Sequence, residues 1–109
     1  MRSAAMVLLA GAGLLLAAAA QAEEPDAARR AELGLLLTHD CGSCHGLTMK
    51  GGLGAPLLPE ALAGKDLEAL AQVILDGIPG TPMPPWSPLL TRDEALWMID
   101  RLRRGGLHD

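Results

Sequence analysis

The chain contains no Phe and no Tyr, and Trp86 and Trp97 are its only aromatic residues. It has 109 residues, a length that allows one small domain and excludes a multidomain enzyme. A domain of this size buries only about 60–65% of the surface of its unfolded chain, and this one has few large rings to fill a core. The composition therefore predicts that a covalent crosslink or a bound cofactor completes the core.

Val and Ile, which strands favour, are also scarce. Beyond residue 22 the chain has only four of them, and all four lie in or beside helical patterns: Val73, Ile74, Ile78 and Ile99. There is no internal repeat. The predicted fold is therefore all-α.

Basic charge is low, because nine Lys and Arg stand against thirteen Asp and Glu, a formal net charge of −4. The basic residues form no cluster, so the chain is a poor candidate for binding nucleic acid.

The long hydrophobic run of this chain is at its N-terminus. Met1-Arg2-Ser3 gives a short positive start, 17 apolar residues or glycines follow from Ala4 to Ala20, and Ala20-Gln21-Ala22 has the pattern of a signal-peptidase site. A bilayer span needs about 20 residues and this run has 17, so a cleaved signal peptide is favoured over a retained membrane anchor. Position 23 is not a cysteine, so a bacterial lipid anchor is not expected. We predict cleavage after Ala22, export to a bacterial periplasm and a mature domain over residues 23–109.

Four helices are predicted in this domain from start signals, stop signals and apolar periodicity. The first begins at Glu24-Pro25-Asp26 and runs to about Thr38, and a short second helix covers Pro59–Ala63. The third helix ends at Gly77 and has its apolar positions at Leu67, Leu70, Ala71 and Ile74. The last helix opens with the capping box Thr91–Glu94 and buries Ala95, Ile99 and Leu102. Residues 42–54 and the proline-rich residues 77–88 are predicted loops.

A row of small residues lies along one face of the first helix: Ala27, Ala31, Gly34 and Thr38. Glycine in mid-helix costs about 1 kcal/mol relative to alanine. Gly34 therefore predicts close approach of another helix at this face.

Both cysteines of the chain lie in the motif Cys41-Gly42-Ser43-Cys44-His45. This spacing is typical of covalent haem attachment. Two thiols separated by two residues can bond the two vinyl groups of a porphyrin, and the adjacent imidazole then lies beneath the ring as an iron ligand. The motif predicts that Cys41 and Cys44 bind one haem c, that His45 is an axial ligand, and that the haem completes the core.

Three other interpretations of the cysteine pair are less favoured. A thioredoxin-type redox pair needs a βαβ setting, which is not predicted here. A zinc site would combine both thiols with two of His39, His45 and His108, a spacing that matches no common ligand pattern. A structural disulfide across two residues closes so short a loop that it stabilises little.

The axial histidine and its iron each need one further group. The second ring nitrogen of His45 needs an acceptor, and we predict the carbonyl of Pro56, about ten residues further on. Met83 lies between prolines and is predicted as the sixth ligand, since His/Met ligation is usual in cytochromes c. Met49 is too close in sequence to reach the other face of the haem easily, and Met98 is predicted as core filling.

The haem motif, Gly54-Ala55-Pro56-Leu57, the Met83 loop and the closing helix occur in the order found in class I c-type cytochromes, and the resemblance covers nearly all of residues 23–109. The strings Lys50-Gly-Gly-Leu-Gly and Gly80-Thr-Pro-Met-Pro-Pro-Trp are more closely similar to the cytochrome c55X family, which occurs with the haem-d1 nitrite reductase of denitrifying bacteria. Many class I members have an aromatic ring four residues before the first cysteine, where this chain has Leu37. The crossing of the first and last helices is therefore predicted to be aliphatic.

The resemblance implies a monomeric electron-transfer protein rather than an enzyme, in dissimilatory nitrite reduction. Its partners would be the nitrite reductase or the assembly factors of that reductase, so a role in maturation of the reductase is the alternative. A peroxidase or gas sensor with an open iron site is a weaker alternative, because the sequence offers no clear distal histidine. Trp86 is predicted at the haem edge, with ordinary core burial as the competing interpretation.

Overall fold

The structure, a computed structural model, describes residues 11, 13 and 23–106. The predicted signal peptide, apart from Gly11 and Gly13, and His108 lie outside the described residues, so the predicted cleavage after Ala22 stays a prediction. Residues 23–106 form helices and loops without a strand, and the all-α prediction is confirmed. In the described part of the chain, no helix is long and apolar enough to cross a membrane.

The helices follow the predicted order. They are α1 (Ala27–Leu36), which continues through a π-helical turn (Leu37–Cys41) into α2 (Gly42–His45), then α3 (Pro59–Leu62), α4 (Leu67–Asp76) and α5 (Arg92–Arg103). Asp26 caps α1, since its carboxylate accepts a hydrogen bond of 2.8 Å from the backbone N–H of Arg29. The capping box of α5 is also present: the Thr91 hydroxyl accepts from the Glu94 N–H, and the Glu94 carboxylate accepts from the Thr91 N–H.

The first helical path is longer than predicted. It does not end near Thr38, and the predicted loop over residues 42–54 begins only after His45. The Gly42 N–H donates to the Leu37 carbonyl, five residues back, which widens the helix by one residue without ending it. The glycine-rich composition of residues 42–54 and the lack of an apolar period suggested a loop, but the wide turn keeps the backbone of Gly42 and Ser43 in the helix and places both cysteines on it.

The buried core is almost wholly aliphatic. Its members are Leu33, Leu37, Met49, Leu62, Ala71, Leu75, Leu90, Ala95, Met98, Ile99 and Leu102, and no polar or charged residue is buried within residues 23–106. Trp86 and Trp97 are only partly buried and pack against this cluster from outside. The crossing of the first and last helices was predicted to pack Gly34 and Leu37 against Met98 and Leu102. Leu37, Met98 and Leu102 lie in one buried aliphatic cluster, Gly34 does not belong to it, and Met98 is core filling as predicted.

The small-residue face of α1 does not pack closely on another helix. A Cβ built on Gly34 would meet no described atom within 4 Å, so the close approach predicted there is wrong for the described part of the chain. The small residues line an open groove beside Trp97 and Arg101 of α5. The reason is that the first helical path packs through Leu33 of α1 and Leu37 of the π-helical turn, one turn further on, and leaves the small-residue face outside the core.

Candidate haem-binding site

Cys41, Cys44 and His45 line a cleft of about 300 Å³. The π-helical turn and the loop after α2 also line it, through Leu37, Asp40, Leu53, Gly54, Ala55 and Leu57. The rest of the lining comes from α3, α4, α5 and the loop between α4 and α5: Leu62, Leu70, Val73, Ile74, Ile99, Leu102, Ile78, Thr81, Pro82, Met83, Pro84 and Trp86. Apart from the two thiols and the imidazole, Asp40 is the only ionisable residue among those that line it. The cleft is therefore an apolar cavity with one concentrated group of metal-ligating and nucleophilic side chains.

The two thiols are free and half-buried. Burial raises the pKa of the Cys41 thiol to about 11, and the neighbouring Asp40 carboxylate adds to the rise. At neutral pH this thiol is protonated, since an apolar environment disfavours the thiolate. The hydroxyl of Ser43 donates a 2.7 Å hydrogen bond to the Asp40 carbonyl and so satisfies an acceptor of the last helical turn.

The imidazole of His45 is oriented by a hydrogen bond between its Nδ1 and the carbonyl oxygen of Ala55, 2.7 Å away. A carbonyl only accepts, so Nδ1 carries the proton and Nε2 is left as the nitrogen that can bind a metal. The sequence prediction placed this acceptor at Pro56, one residue too far along the chain. Spacing locates the segment, but which of two successive carbonyls faces the ring depends on the backbone path.

Glycines make room for this arrangement, and sequence reasoning assigned them only to a loop. A Cβ on Gly54 would lie 2.8 Å from Nδ1 and from Cε1 of His45, and a Cβ on Gly52 would lie 2.8 Å from the Cys44 carbonyl oxygen. The Gly54 N–H donates to that same carbonyl at 2.8 Å, and the Gly51 N–H donates to the His45 carbonyl at 2.8 Å. The loop thus closes directly over the carbonyls that end α2 and over the imidazole.

Met83 is the only methionine that lines the cleft among the described residues. Met49 is fully buried in the core with a left-handed φ of +58°, where its carbonyl accepts from the Leu57 N–H, and Met98 is buried on α5. Neither of them lines the cleft. The structure thus brings Met83 together with the haem motif.

Trp86 lines the cleft and also packs against the buried cluster. Its backbone N–H donates to the Ile74 carbonyl at 3.0 Å, and the Ser87 N–H donates to the Leu75 carbonyl at 3.1 Å. These bonds return the proline-rich loop to the end of α4. Trp86 is therefore partly core and partly cleft lining, and its place at the haem edge stays a prediction.

The residues present fit a covalently bound haem. Two thiols at the required spacing, an imidazole with a free Nε2 and a thioether all line one cavity, and the remaining lining is mostly aliphatic. His39 is exposed and does not line the cleft. Within residues 23–106, no three His, Cys, Asp or Glu side chains are grouped so that they could hold a metal ion by themselves.

An all-α fold around such a cleft defines a class I c-type cytochrome, and residues 28–100 match the family described as cytochrome c oxidase, cbb3-type, subunit III. The chain is 61% identical over 89 residues to cytochrome c55X of Paracoccus denitrificans, covering 82% of this chain and 86% of the relative. It is 58% identical over 83 residues to cytochrome c55X of Pseudomonas aeruginosa, covering 76% of this chain and 70% of the relative. The chain belongs to the cytochrome c55X family, so the resemblance seen in the sequence is confirmed.

Solved structures that are similar to this one include a small cytochrome and a domain of a longer enzyme. The c-type cytochrome NirC matches with a TM-score of 0.75 and 55% identity, over 78% of this chain and 100% of that chain. A dihydro-haem d1 dehydrogenase, NirN in complex with DHE, matches with a TM-score of 0.55 and 35% identity, over 63% of this chain and 15% of that much longer chain.

Proposed function

We propose that this protein carries single electrons through one haem c, bound covalently by Cys41 and Cys44, with His45 and Met83 as axial ligands. The observation that supports this most directly is the presence of Met83, and of no other described methionine, in the cleft of the haem motif. Membership of a c-type cytochrome family supports the same function.

The haem iron, when bound, supplies a centre that cycles between Fe(III) and Fe(II). The residues of the chain set its environment. The Nδ1–H of His45 donates to the Ala55 carbonyl, which fixes the ring and makes Nε2 a stronger ligand. The thioether of Met83 favours the reduced iron and so raises the potential, while the aliphatic lining limits access of water.

The cleft gives little support to an enzyme with an open iron site. Acid–base chemistry at the sixth position needs a titratable side chain on that side of the cofactor. Among the lining residues only Asp40 is ionisable beyond the haem motif itself, and it directly precedes Cys41 in the chain. The lining therefore favours a six-coordinate electron carrier over a peroxidase or gas sensor.

The process we propose is dissimilatory nitrite reduction in the periplasm, with the haem-d1 nitrite reductase as the redox partner of a monomeric carrier. The support is the 61% identity to a cytochrome c55X and the 55% identity to the c-type cytochrome NirC, together with the predicted signal peptide. Without residues 1–22 the formal charge is 8 − 13 = −5, so docking is not driven by an overall positive charge. We expect contact with the partner to be brief and its interface small.

A second candidate is a redox role in maturation of that reductase. The observation that favours it is the similarity to part of a protein named as a dihydro-haem d1 dehydrogenase. The two roles are separated by adding purified, mature reductase to the periplasmic fraction of a strain that lacks this chain. A normal rate of nitrite reduction there would support maturation, and a lost rate that returns on adding the reduced cytochrome would support electron donation.

The cofactor is tested by optical spectra of the oxidised and reduced protein after export from a cytochrome-maturing host. We expect haem to stay with the polypeptide after denaturation and solvent extraction, and the folded oxidised form to show a Met–iron charge-transfer band. Cys41→Ala with Cys44→Ala is the control, and it should abolish covalent haem. A high-spin spectrum with covalent haem would favour the open-site alternative, and absence of haem would end the proposal.

A further inference from the structure

Gly77 ends α4 at the place where the segment around Met83 folds back against that helix. It is buried, its φ is +67°, and its N–H donates to the Val73 carbonyl at 2.9 Å. A Cβ built on Gly77 would lie 2.7 Å from three backbone atoms: the Met83 carbonyl oxygen, the Pro84 carbonyl carbon and the Pro85 nitrogen. Cβ atoms essentially never approach other atoms so closely, so any side chain here requires the segment to move.

The segment that meets Gly77 has little freedom to move aside. The Ile78 N–H donates to the Met83 carbonyl at 3.2 Å, and the Trp86 N–H donates to the Ile74 carbonyl at 3.0 Å, so it is held on both sides of Pro84 and Pro85. Proline fixes φ and restricts the residue before it. If a side chain at position 77 displaced the backbone of Met83, the Met83 side chain would therefore move with it, because this restrained segment cannot absorb the displacement by a local rotation.

We propose that Gly77 is a positioning residue for the Met83 thioether. Because Gly77 has no Cβ, the Met83 backbone reaches the end of α4, and this approach sets where the sulfur lies in the cleft. The inference rests on the proposed ligand role of Met83, and it assigns to Gly77 a function beyond ending a helix.

Two other glycines provide controls. Gly64 and Gly80 also have positive φ values, +75° and +77°, but a Cβ on either would meet no described atom within 4 Å. Alanine is strained by the positive φ at all three positions. At Gly77 the ψ of −174° adds to that strain, because this backbone region is almost restricted to glycine. Only at Gly77 does alanine also collide with the Met83 segment. Gly80 lies in the same loop as Met83, whereas Gly64 follows α3.

The test compares Gly77→Ala, Gly64→Ala and Gly80→Ala as haem-loaded proteins. We expect Gly77→Ala to keep its covalent haem, to lose most of the Met–iron band and to have a lower potential. The affinity for added imidazole should rise about tenfold, which corresponds to an axial bond weaker by about 1.4 kcal/mol. Both controls should also lose stability, but they should keep the band, the potential and the imidazole affinity of the wild type.

Several results would overturn the inference. One is a Gly77→Ala protein with the band and imidazole affinity of the wild type, and another is a Gly80→Ala protein that changes as much as Gly77→Ala, since strain and not contact would then be responsible. If Gly77→Ala does not accumulate, it is combined with Gly34→Ala, a stabilising change at a residue that does not line the cleft, and judged by the same measurements. A wild type without a Met–iron band would overturn the Met83 assignment itself, which is a different failure.

Discussion

The guanidinium group of Arg29 bonds both carboxylate oxygens of Glu94 and, at 3.0 Å, the carbonyl oxygen of Leu89. Arg29 is in the first turn of α1, and Glu94 is in the first turn of α5. Leu89 ends the segment that carries Met83 and Trp86. One side chain therefore ties the first helix, the last helix and the loop of the proposed sixth ligand together.

This ion pair predicts a pH dependence of stability. The hydrogen bond from Arg29 holds the pKa of Glu94 below its ordinary value of 4.5. A carboxylate whose pKa is lower in the folded state adds stability above that ordinary value, and the contribution is lost as the pH falls through the folded-state pKa. We expect Glu94→Gln, which can still form the capping box, to lower the free energy of unfolding at pH 7 by about 1 kcal/mol.

Denaturant unfolding of the haem-loaded protein at several pH values checks this. The difference in the free energy of unfolding between wild type and Glu94→Gln should have its full value near neutral pH and should fall towards zero in acid. Glu32→Gln is the control, because Glu32 meets Arg29 only as an exposed i,i+3 pair on α1, and it should cost only about 0.3 kcal/mol. A difference that stays constant from neutral to strongly acidic pH would contradict the assignment.

Gly34→Ala should stabilise the protein. A methyl group at this position of α1 meets open space, and alanine has the higher helix propensity, so the expected gain is about 1 kcal/mol. The reverse change at the exposed Ala31, Ala31→Gly, should lower the free energy of unfolding by about the same amount. Thermal unfolding of the two variants measures both. Destabilisation by Gly34→Ala would mean that something in the full protein covers the small-residue face.

Local signals carried most of the fold. The Thr91–Glu94 capping box and the stop at Gly77 each depend on neighbouring residues, and the sequence predicted both. The start of the first helix was predicted at Glu24-Pro25-Asp26, but Asp26 is the N-cap and α1 begins at Ala27. Helix continuation through Gly42 was missed, because the wide turn depends on a hydrogen bond to Leu37 and not on propensity.

The same distinction, between features set by neighbouring residues and features set by the path of the backbone, applies to the candidate site. The haem motif and Met83 have distinctive residue types, and the structure brings them into one cleft. The acceptor of the His45 hydrogen bond was placed one residue away from Ala55, because spacing does not determine the direction of a carbonyl. The close contacts of Gly54 with the His45 ring and of Gly77 with the Met83 segment depend on how the loops fold back, so the sequence identified Gly77 only as a helix end and Gly54 only as part of a loop.

Gly54→Ala should disturb the proximal side of the site. The added Cβ would come within 2.8 Å of the His45 ring, so the ring must tilt and its bond to the Ala55 carbonyl must lengthen. A less basic imidazole stabilises Fe(III) less, and we expect the potential to rise by about 60 mV, a tenfold change for one electron. Ala55→Gly keeps the backbone acceptor and should leave the potential unchanged. Redox titration compares the two variants, and the assignment fails if they behave alike.

Met83→Ala should leave the haem attached, because the thioether bonds depend on Cys41 and Cys44, but it should remove the sixth ligand. The expected result is loss of the Met–iron band, a lower potential and binding of added imidazole. Met49→Leu and Met98→Leu are controls of similar volume in the core, outside the cleft, and should cost less than about 1.5 kcal/mol while keeping the band. If Met83→Ala has an unchanged spectrum and potential, another group binds the iron. If Met49→Leu then removes the band, that group is Met49, and the loop that carries it must rearrange to bring its buried sulfur to the haem.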